Sequence, residues 1–517
     1  MNDFVLSVDN ISDFKEDFQK HLSFFAEKNN VPYFDARLSI SNFLGAEALN
    51  GNSKSAVQDY FADVGVRVFY GKSFGMGFAG TTLSKSDFSN FKLVCEALFG
   101  KALGLAKANS FEKERFLGVN SVFSESFSRL KQKKVEWKRA FKKSPLDANC
   151  EDFVKDSERI SSELKKIEGV ASNVVSIFAC LERKVFVNSL GSIVDQTLPI
   201  TEPSVFVAAK GKSLESYHEW LSDSKGLEAL DGNNSHSMSF DDFCVFVAKG
   251  VVDLSNAPAV PNVQNAVVVS DPWFNTLLCH EICGHPSEAD RALKRETAWA
   301  GRAWWFRNFD DNEIEKRVGS EEMSVVSDPT LEGYGNYLYD DEGILASKVV
   351  NVEKGILKGF MNSNETSFLL GEKPNGHMRA SSSSMVPLVR MSNTFFDKGS
   401  WKANELIEET RNGFYVSGQK IPSIGESRQN FNISCWKIFE IKNGEITRLY
   451  RKGSVEGNSF DVFMTIEAAD DLKLYNVPNC GKGTPMQTMR VGNGGPHLRF
   501  RANVGSFSDD IHSDHKC

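Results

Sequence analysis

Apolar and polar residues alternate from Tyr33 to Ile40, the two-residue period of a strand with one face buried. Gly65-Val66-Arg67-Val68-Phe69-Tyr70 and Ser73 to Gly80 flank Gly71-Lys72 and predict a hairpin with a Gly-containing turn. The period then lengthens. Phe88, Phe91, Val94, Cys95, Leu98, Ala102 and Leu105 recur at helical spacing behind a candidate N-cap at Ser84 or Ser86. A second helix is predicted from Glu151 to Glu168, with Phe153, Ser157, Ile160, Leu164 and Ile167 on one face. Ile177 to Val187 and Ile193 to Leu198, separated by Asn188-Ser189-Leu190-Gly191-Ser192, predict another hairpin. Lys131 to Lys143 is a basic run that reads as a solvated face of an amphipathic helix. Helices laid on an antiparallel sheet define an α+β domain.

Asp231-Gly232-Asn233-Asn234-Ser235-His236-Ser237 has the composition of a linker. It divides the chain into an N-terminal α+β domain, residues 1–235, and a C-terminal strand-rich domain, residues 236–517. In the second part Val267-Val268-Val269 reads as a buried strand and Leu277 to Glu288 as a helix. Val349-Val350-Asn351-Val352 and turns such as Asn443-Gly444 mark many short strands.

At 517 residues the chain is too long for one core, which agrees with two domains. Lys+Arg 60 against Asp+Glu 68 leaves a net charge of −8. That is the wrong sign for a nucleic-acid footprint, and no nucleic-acid partner is expected. The chain opens without the basic region of a signal peptide, and no apolar run reaches the ~18 residues of a membrane span. The expectation is a cytoplasmic protein with no membrane partner. Nine cysteines, scattered and with no CxxC pair, read as reduced and mostly buried.

The candidate chemistry lies between Leu277 and Asp290, where His280-Glu281 is followed by Gly284-His285-Pro286 and then Glu288 and Asp290. Imidazoles are good zinc ligands, and a carboxylate beside a zinc site can act as general base. The spacing is HExxxH, however, one residue longer than HExxH. On an α-helix five residues advance ~500°, which leaves the second ring about 140° from the first. Gly284 and Pro286 supply the remedy, because they favour a break or a widened turn there. Two imidazoles still leave a zinc site one ligand short. Glu288 and Asp290 are candidates near in sequence. Cys480, His377 and His497 are distant ones, and Cys480 sits in Pro478-Asn479-Cys480-Gly481-Lys482-Gly483, which reads as an exposed Gly-rich turn. His377, Arg379 and Arg390 are candidates for substrate binding, as electrophile or as anchor for a substrate carboxylate.

Several ordered motifs resemble the TldD/PmbA family of zinc metallopeptidases, historically called modulators of DNA gyrase. The family's HExxGH-xx-E-x-D element is matched by His280, Glu281, Gly284, His285, Glu288 and Asp290. Its R…P-x-x-R-M-x-N-T pattern is matched by Arg379, Pro387, Arg390, Met391, Asn393 and Thr394. Asp340-Asp341-Glu342-Gly343, Cys480-Gly481-Lys482-Gly483 and Gly494-Gly495-Pro496 match later elements, and the likeness runs from about residue 30 to 500. Thr484-Pro485-Met486-Gln487, His377-Met378 and extra length from Trp304 to Glu315 depart from the family pattern and bear on substrate preference.

The resemblance implies Zn²⁺ held by His280, His285 and Cys480, with Glu281 as general base. It implies the TldD-like catalytic type, since PmbA-like subunits lack HExxxH, and a homodimer or a heterodimer with a PmbA-like subunit. The expected activity is hydrolysis of small, flexible or unfolded peptides. The alternative is a non-enzymatic modulator subunit that binds a peptide or protein partner; an intact base beside the metal motif argues against it. The tail from Phe507 to Cys517, with His512 and His515, reads as a frayed polar terminus.

Overall fold

The computed structural model describes residues 8–117, 126–299 and 301–506. The His- and Cys-bearing tail lies outside the described residues. The strand that starts at Tyr33 continues well past Ile40, and it is not half-buried as its alternation predicts: Asp35, Arg37 and Ser39 on the polar face are buried too, with Arg37 donating to the Met385 carbonyl at 2.7 Å. Strand β1 (Tyr33–Leu49) pairs with β2 (Asn52–Tyr70), which turns through Gly71 into β3 (Gly75–Thr82). With β4 (Lys134–Lys138), β5 (Val170–Asn188), β6 (Ile193–Thr201), β7 (Ser204–Lys210) and β8 (Leu214–Trp220) they make an eight-stranded sheet. Its order is β3-β2-β1-β5-β6-β4, with β7 pairing β5 and β8. All these pairs are antiparallel except β4–β6.

Helices α1 (Ile11–Lys28), α2 (Phe91–Leu117) and α3 (Cys150–Lys165) cover this sheet, the α+β arrangement that the periodicity predicts. Phe18, Leu22, Phe91 and Phe99 pack on Phe34, Leu38, Val64 and Val66, and Phe153, Ile160 and Leu164 pack on Leu44, Val175 and Ile177. Leu105 does not share the buried stripe of α2; it is 52% exposed while Ala102 and Ala106 are buried. The basic run is not a helix either. Lys134–Lys138 is edge strand β4, with Val135 and Trp137 half-buried and its two lysines in solvent. Pairing with β6 overrides the weak helical pattern, and lysines on an edge discourage further strand addition.

Helix α4 (Phe240–Asn256) turns Phe243, Val247 and Val251 toward the core shared with Val205, Val207 and Tyr217 of β7 and β8. Beyond it, β9 (Val263–Ser270), β16 (Asn412–Ile424), β17 (Asn430–Lys442), β18 (Glu445–Tyr450), β19 (Gly453–Asn458), β20 (Glu467–Ala468) and β23 (Leu498–Ser506) form a seven-stranded sheet. Because β16 pairs with both β9 and β17, the path β16-β9-β23-β19-β17 closes on itself.

A six-stranded sheet stands beside it, in the order β12-β11-β10-β15-β22-β21. Its members are β10 (Val325–Ser327), β11 (Val349–Glu353), β12 (Ile356–Leu357), β15 (Asn393–Phe396), β21 (Lys473–Lys482) and β22 (Gln487–Gly495). A short ribbon of β13 (Met378–Arg379) and β14 (Leu388–Val389) completes the strands. Among the described residues no helix is long and apolar enough to cross a membrane.

Candidate metal centre

Strand β9 runs directly into helix α5 (Pro272–Cys279). Asp271 caps it, accepting from the Phe274 N–H at 2.7 Å, and Pro272 occupies the first turn, where a missing N–H breaks no bond. The helix starts ahead of the predicted Leu277 because this cap and proline define its first turn. Trp273, Phe274, Leu278 and Cys279 are all buried, so the helix is enclosed and its C-terminal end faces the interior.

From His280 to Gly284 the backbone widens into a π turn, and the His285 N–H donates to the His280 carbonyl five residues back. A single 3-10 turn, His285–Ser287, follows. The extra residue per turn brings His285 over His280, where an α-helix would put residue 284. The two ring centroids lie 4.8 Å apart with planes at 89°. Gly284 is needed here because a Cβ would stand 2.0 Å from Met391 Sδ.

Cys480 reaches the same place from β21, opposite Met489 and next to a register shift after Val477. It is a buried strand residue, 1% exposed, and not part of an exposed turn. Its Sγ lies 3.5 Å from His285 Nε2, and one ligand atom from each of His280, His285 and Cys480 falls within 4.8 Å of the others.

The other metal-ligand candidates do not join this group. Glu288 stands behind His285: its Oε2 accepts from His285 Nδ1 at 2.9 Å, Arg291 Nε at 3.0 Å and Lys482 Nζ at 3.1 Å. Asp290 accepts from Lys482 at 2.6 Å. His497 is held by Asp471 and Tyr415. On the other ring, His280 Nδ1 faces Asn493 Oδ1 at 2.9 Å, while the Asn493 amide donates to the Thr394 carbonyl. Both imidazoles therefore have Nδ1 occupied and Nε2 turned toward Cys480, the orientation that carboxylate and carbonyl partners impose on metal-binding histidines.

The charges fit a dication. Burial opposes a Cys480 thiolate, yet His280, Arg390 and His285 hold the thiol well below its ordinary range. Burial opposes a charged His280, and facing Cys480 lifts it to about 9. Burial and Arg428 push His285 down. A thiolate and two imidazole nitrogens in one buried group are the donor set that zinc takes in sites with an open coordination position. Glu281 is half-buried, and desolvation opposes its charge, but Arg428, His280 and His285 keep its carboxyl below the usual range. Arg428 donates to the Glu281 carboxylate and, at 3.2 Å, to the Glu281 carbonyl.

The three residues expected to bind substrate occupy different settings. His377 is fully buried, with Nδ1 against Asn375 and Nε2 3.2 Å from Ser392 Oγ, and burial pushes its pKa down to about 3. Arg390 is fully buried and donates to the carbonyls of Cys480 and Gln487. Arg379 donates to the carbonyls of Met391 and Arg490, lies over the Tyr337 ring at 4.7 Å, and lines a cavity of about 70 Å³ with Arg139, Glu182 and Tyr334. Asn493, Arg428 and Lys482 are the site neighbours that the sequence does not single out by role.

A buried π turn that aims two histidines at a strand cysteine defines a candidate metal-binding centre on an α+β scaffold. Residues 264–506 match the family model described as the PmbA/TldA metallopeptidase C-terminal domain. A metalloprotease of Methanothermobacter thermautotrophicus is 30% identical over 362 residues, covering 69% of this chain and 74% of that one. One from Archaeoglobus fulgidus is 30% identical, covering 72% and 81%. A zinc metalloprotease TldD homolog of Saccharolobus solfataricus is 31% identical, covering 48% and 53%. Two crystal structures share the fold. TldE of Thermococcus kodakarensis superposes with a TM-score of 0.68 at 17% identity, covering 95% of this chain and 100% of that one. A Thermotoga maritima protein described as a modulator of DNA gyrase gives 0.72 at 16% identity, with the same coverage. The chain belongs to the TldD/PmbA family of metallopeptidases.

Proposed function

We propose that the chain is a zinc-dependent peptidase acting on small, flexible or unfolded peptides. The observation that carries this reading is the meeting of His280, His285 and Cys480, ligand atoms within 4.8 Å, with Glu281 next in the chain to His280 and paired with Arg428. Zinc, when bound by these three, would supply Lewis acidity toward a water and a peptide carbonyl. Glu281 takes the proton of the attacking water and passes it to the departing amine. Glu288 and Asn493 hold the two imidazoles, and Lys482 holds Glu288.

A cleft of about 620 Å³ borders the centre at Asp290, although His280, Glu281, His285 and Cys480 do not line it. It is lined by Met76 and Asn109 from the proposed domain 1–235, and by Asp290, Met378 and Leu388 from the proposed domain 236–517. Arg379, on its separate cavity, is the proposed anchor for a substrate carboxylate; His377 and Arg390 act from within the fold. A homodimer or a heterodimer with a PmbA-like subunit is supported by an apolar face on α2, where Leu93 and Phe111 are 63% and 62% exposed. Cysteines that are free and mostly buried, among the described residues, suit a reducing cytoplasm.

The test is peptide cleavage and zinc content in His280→Ala, His285→Ala and Cys480→Ser. Each is expected to lose both; retention of zinc and activity in Cys480→Ser would transfer the third ligand to another residue.

A further inference from the structure

Arg428 has no place in the mechanism above, yet among the described residues it is the one arginine that pairs with the proposed base. Its own backbone is fixed unusually well for a loop residue. Its φ is +60°, a left-handed conformation that a non-glycine residue adopts only when the surroundings impose it. The Arg428 N–H donates to the Gly425 carbonyl at 2.8 Å, and its carbonyl accepts from Ser459 Oγ at 2.9 Å. From that anchored position the side chain runs inward and is 4% exposed. One guanidinium nitrogen, Nη1, donates to both Glu281 Oε2 and the Glu281 carbonyl. The other, Nη2, donates to the carbonyl of Trp299 at 3.4 Å. Trp299 also has a left-handed φ of +58°, and its indole N–H donates to the carbonyl of Gly483 at 3.1 Å, three residues beyond Cys480.

A glutamate head normally rotates about three side-chain torsions. Tying its carboxylate and its own carbonyl to one rigid, planar donor removes most of that freedom. Glu281 Oε1 has no hydrogen bond among the described residues, so one oxygen is anchored and the other is left to meet a water. We propose that Arg428 is the positioning residue of Glu281: it fixes one carboxylate oxygen and thereby aims the other at the attacking water. Part of its effect is charge, which a lysine shares, and part is the planar guanidinium, whose Nη2 on the Trp299 carbonyl fixes the direction in which Nη1 meets Glu281, which a lysine lacks. The inference rests on the reading of Glu281 as the base.

The test uses the zinc-loaded full chain with Arg428→Gln, Arg428→Lys and Arg428→Ala. Arg428→Gln is expected to keep its zinc and KM and to lose about 10–100-fold in kcat, the usual cost of removing a group that orients a reacting residue. Lysine should recover part of the loss. Guanidinium ion at low millimolar concentration should raise kcat of Arg428→Ala, and urea, its neutral isostere, should not. A readout independent of turnover is the thermal midpoint. Glu281→Gln and Arg428→Gln each leave a buried charge alone, so the double variant should melt above the sum of the two losses. Full kcat in Arg428→Gln while Glu281→Gln is inactive overturns the proposal. Loss of fold, zinc and kcat together in all three variants assigns Arg428 to stability alone and overturns it too. Full activity in Glu281→Gln sinks instead the reading of the base.

Discussion

At the scale of the residue, the centre depends on how buried charges are compensated. Glu288 carries three donors on one oxygen, and although burial opposes its charge, Lys482, His285 and Arg291 hold its carboxyl well below the ordinary range. Its job is to fix the ring of His285. Glu288→Gln keeps the shape and removes the charge, so metal affinity should fall about 10–100-fold, measurable by zinc competition with a chelator. An unchanged affinity would mean the ring is held by packing alone. X-ray absorption on the zinc-loaded protein should give one sulfur at about 2.3 Å and two nitrogens at about 2.0–2.1 Å. A shell without sulfur would remove Cys480 from the site. His280, Glu281 and His285 were legible from the sequence because they fall within six consecutive residues. Cys480 lies 195 residues from His285 and was one open candidate beside Glu288, Asp290, His377 and His497 until the family resemblance singled it out. Arg428 and Asn493 left no signal at all, since strand and loop packing decides what stands beside a helix end.

At the scale of the element, the mismatch between HExxxH and the α-helix is resolved by one π turn, as the arithmetic of 3.6 residues per turn requires. Gly284 allows that turn to lie against Met391. Gly284→Ala puts a Cβ 2.0 Å from Met391 Sδ, and the strain should destabilise the fold by about 1–3 kcal/mol. Thermal unfolding checks this, and pairing the change with Met391→Ala should recover part of the loss. A Gly284→Ala protein as stable as wild type would show that the turn can shift without cost. Other elements were only partly legible. The hairpins at Gly71 and Asn188 fall where the turn residues put them, and the apolar–polar alternation from Tyr33 located β1 but not its burial, since Asp35, Arg37 and Ser39 are covered as fully as the apolar face. The edge strand β4 did not, because a lysine-rich run satisfies helical and strand patterns alike until β6 supplies its partner.

At the scale of the whole molecule, the eight-stranded sheet meets the closed sheet where Tyr217 of β8 stacks on Trp436 of β17, centroids 4.7 Å apart. Glu219 is buried at this seam, and burial lifts it from 4.5 to about 7 despite the hydrogen bond from Tyr217. A raised carboxyl binds its proton more tightly in the folded state. Its stabilising contribution is therefore complete below pH 4.5 and is lost as the pH rises through about 7. The thermal midpoint of Glu219→Gln should gain on that of wild type across this window; parallel curves would show that the seam relaxes to hydrate the charge. The proposed dimer should sediment as two chains at working concentration, and an unfolded protein should be cut faster than its folded form if the cleft admits only flexible chains. The most direct test of the whole account is zinc content and cleavage of an unfolded peptide, measured on the same samples of wild type and Glu281→Gln. We expect one zinc per chain in both, with hydrolysis about 10²–10⁴-fold slower in the variant. Equal cleavage at equal zinc would contradict it.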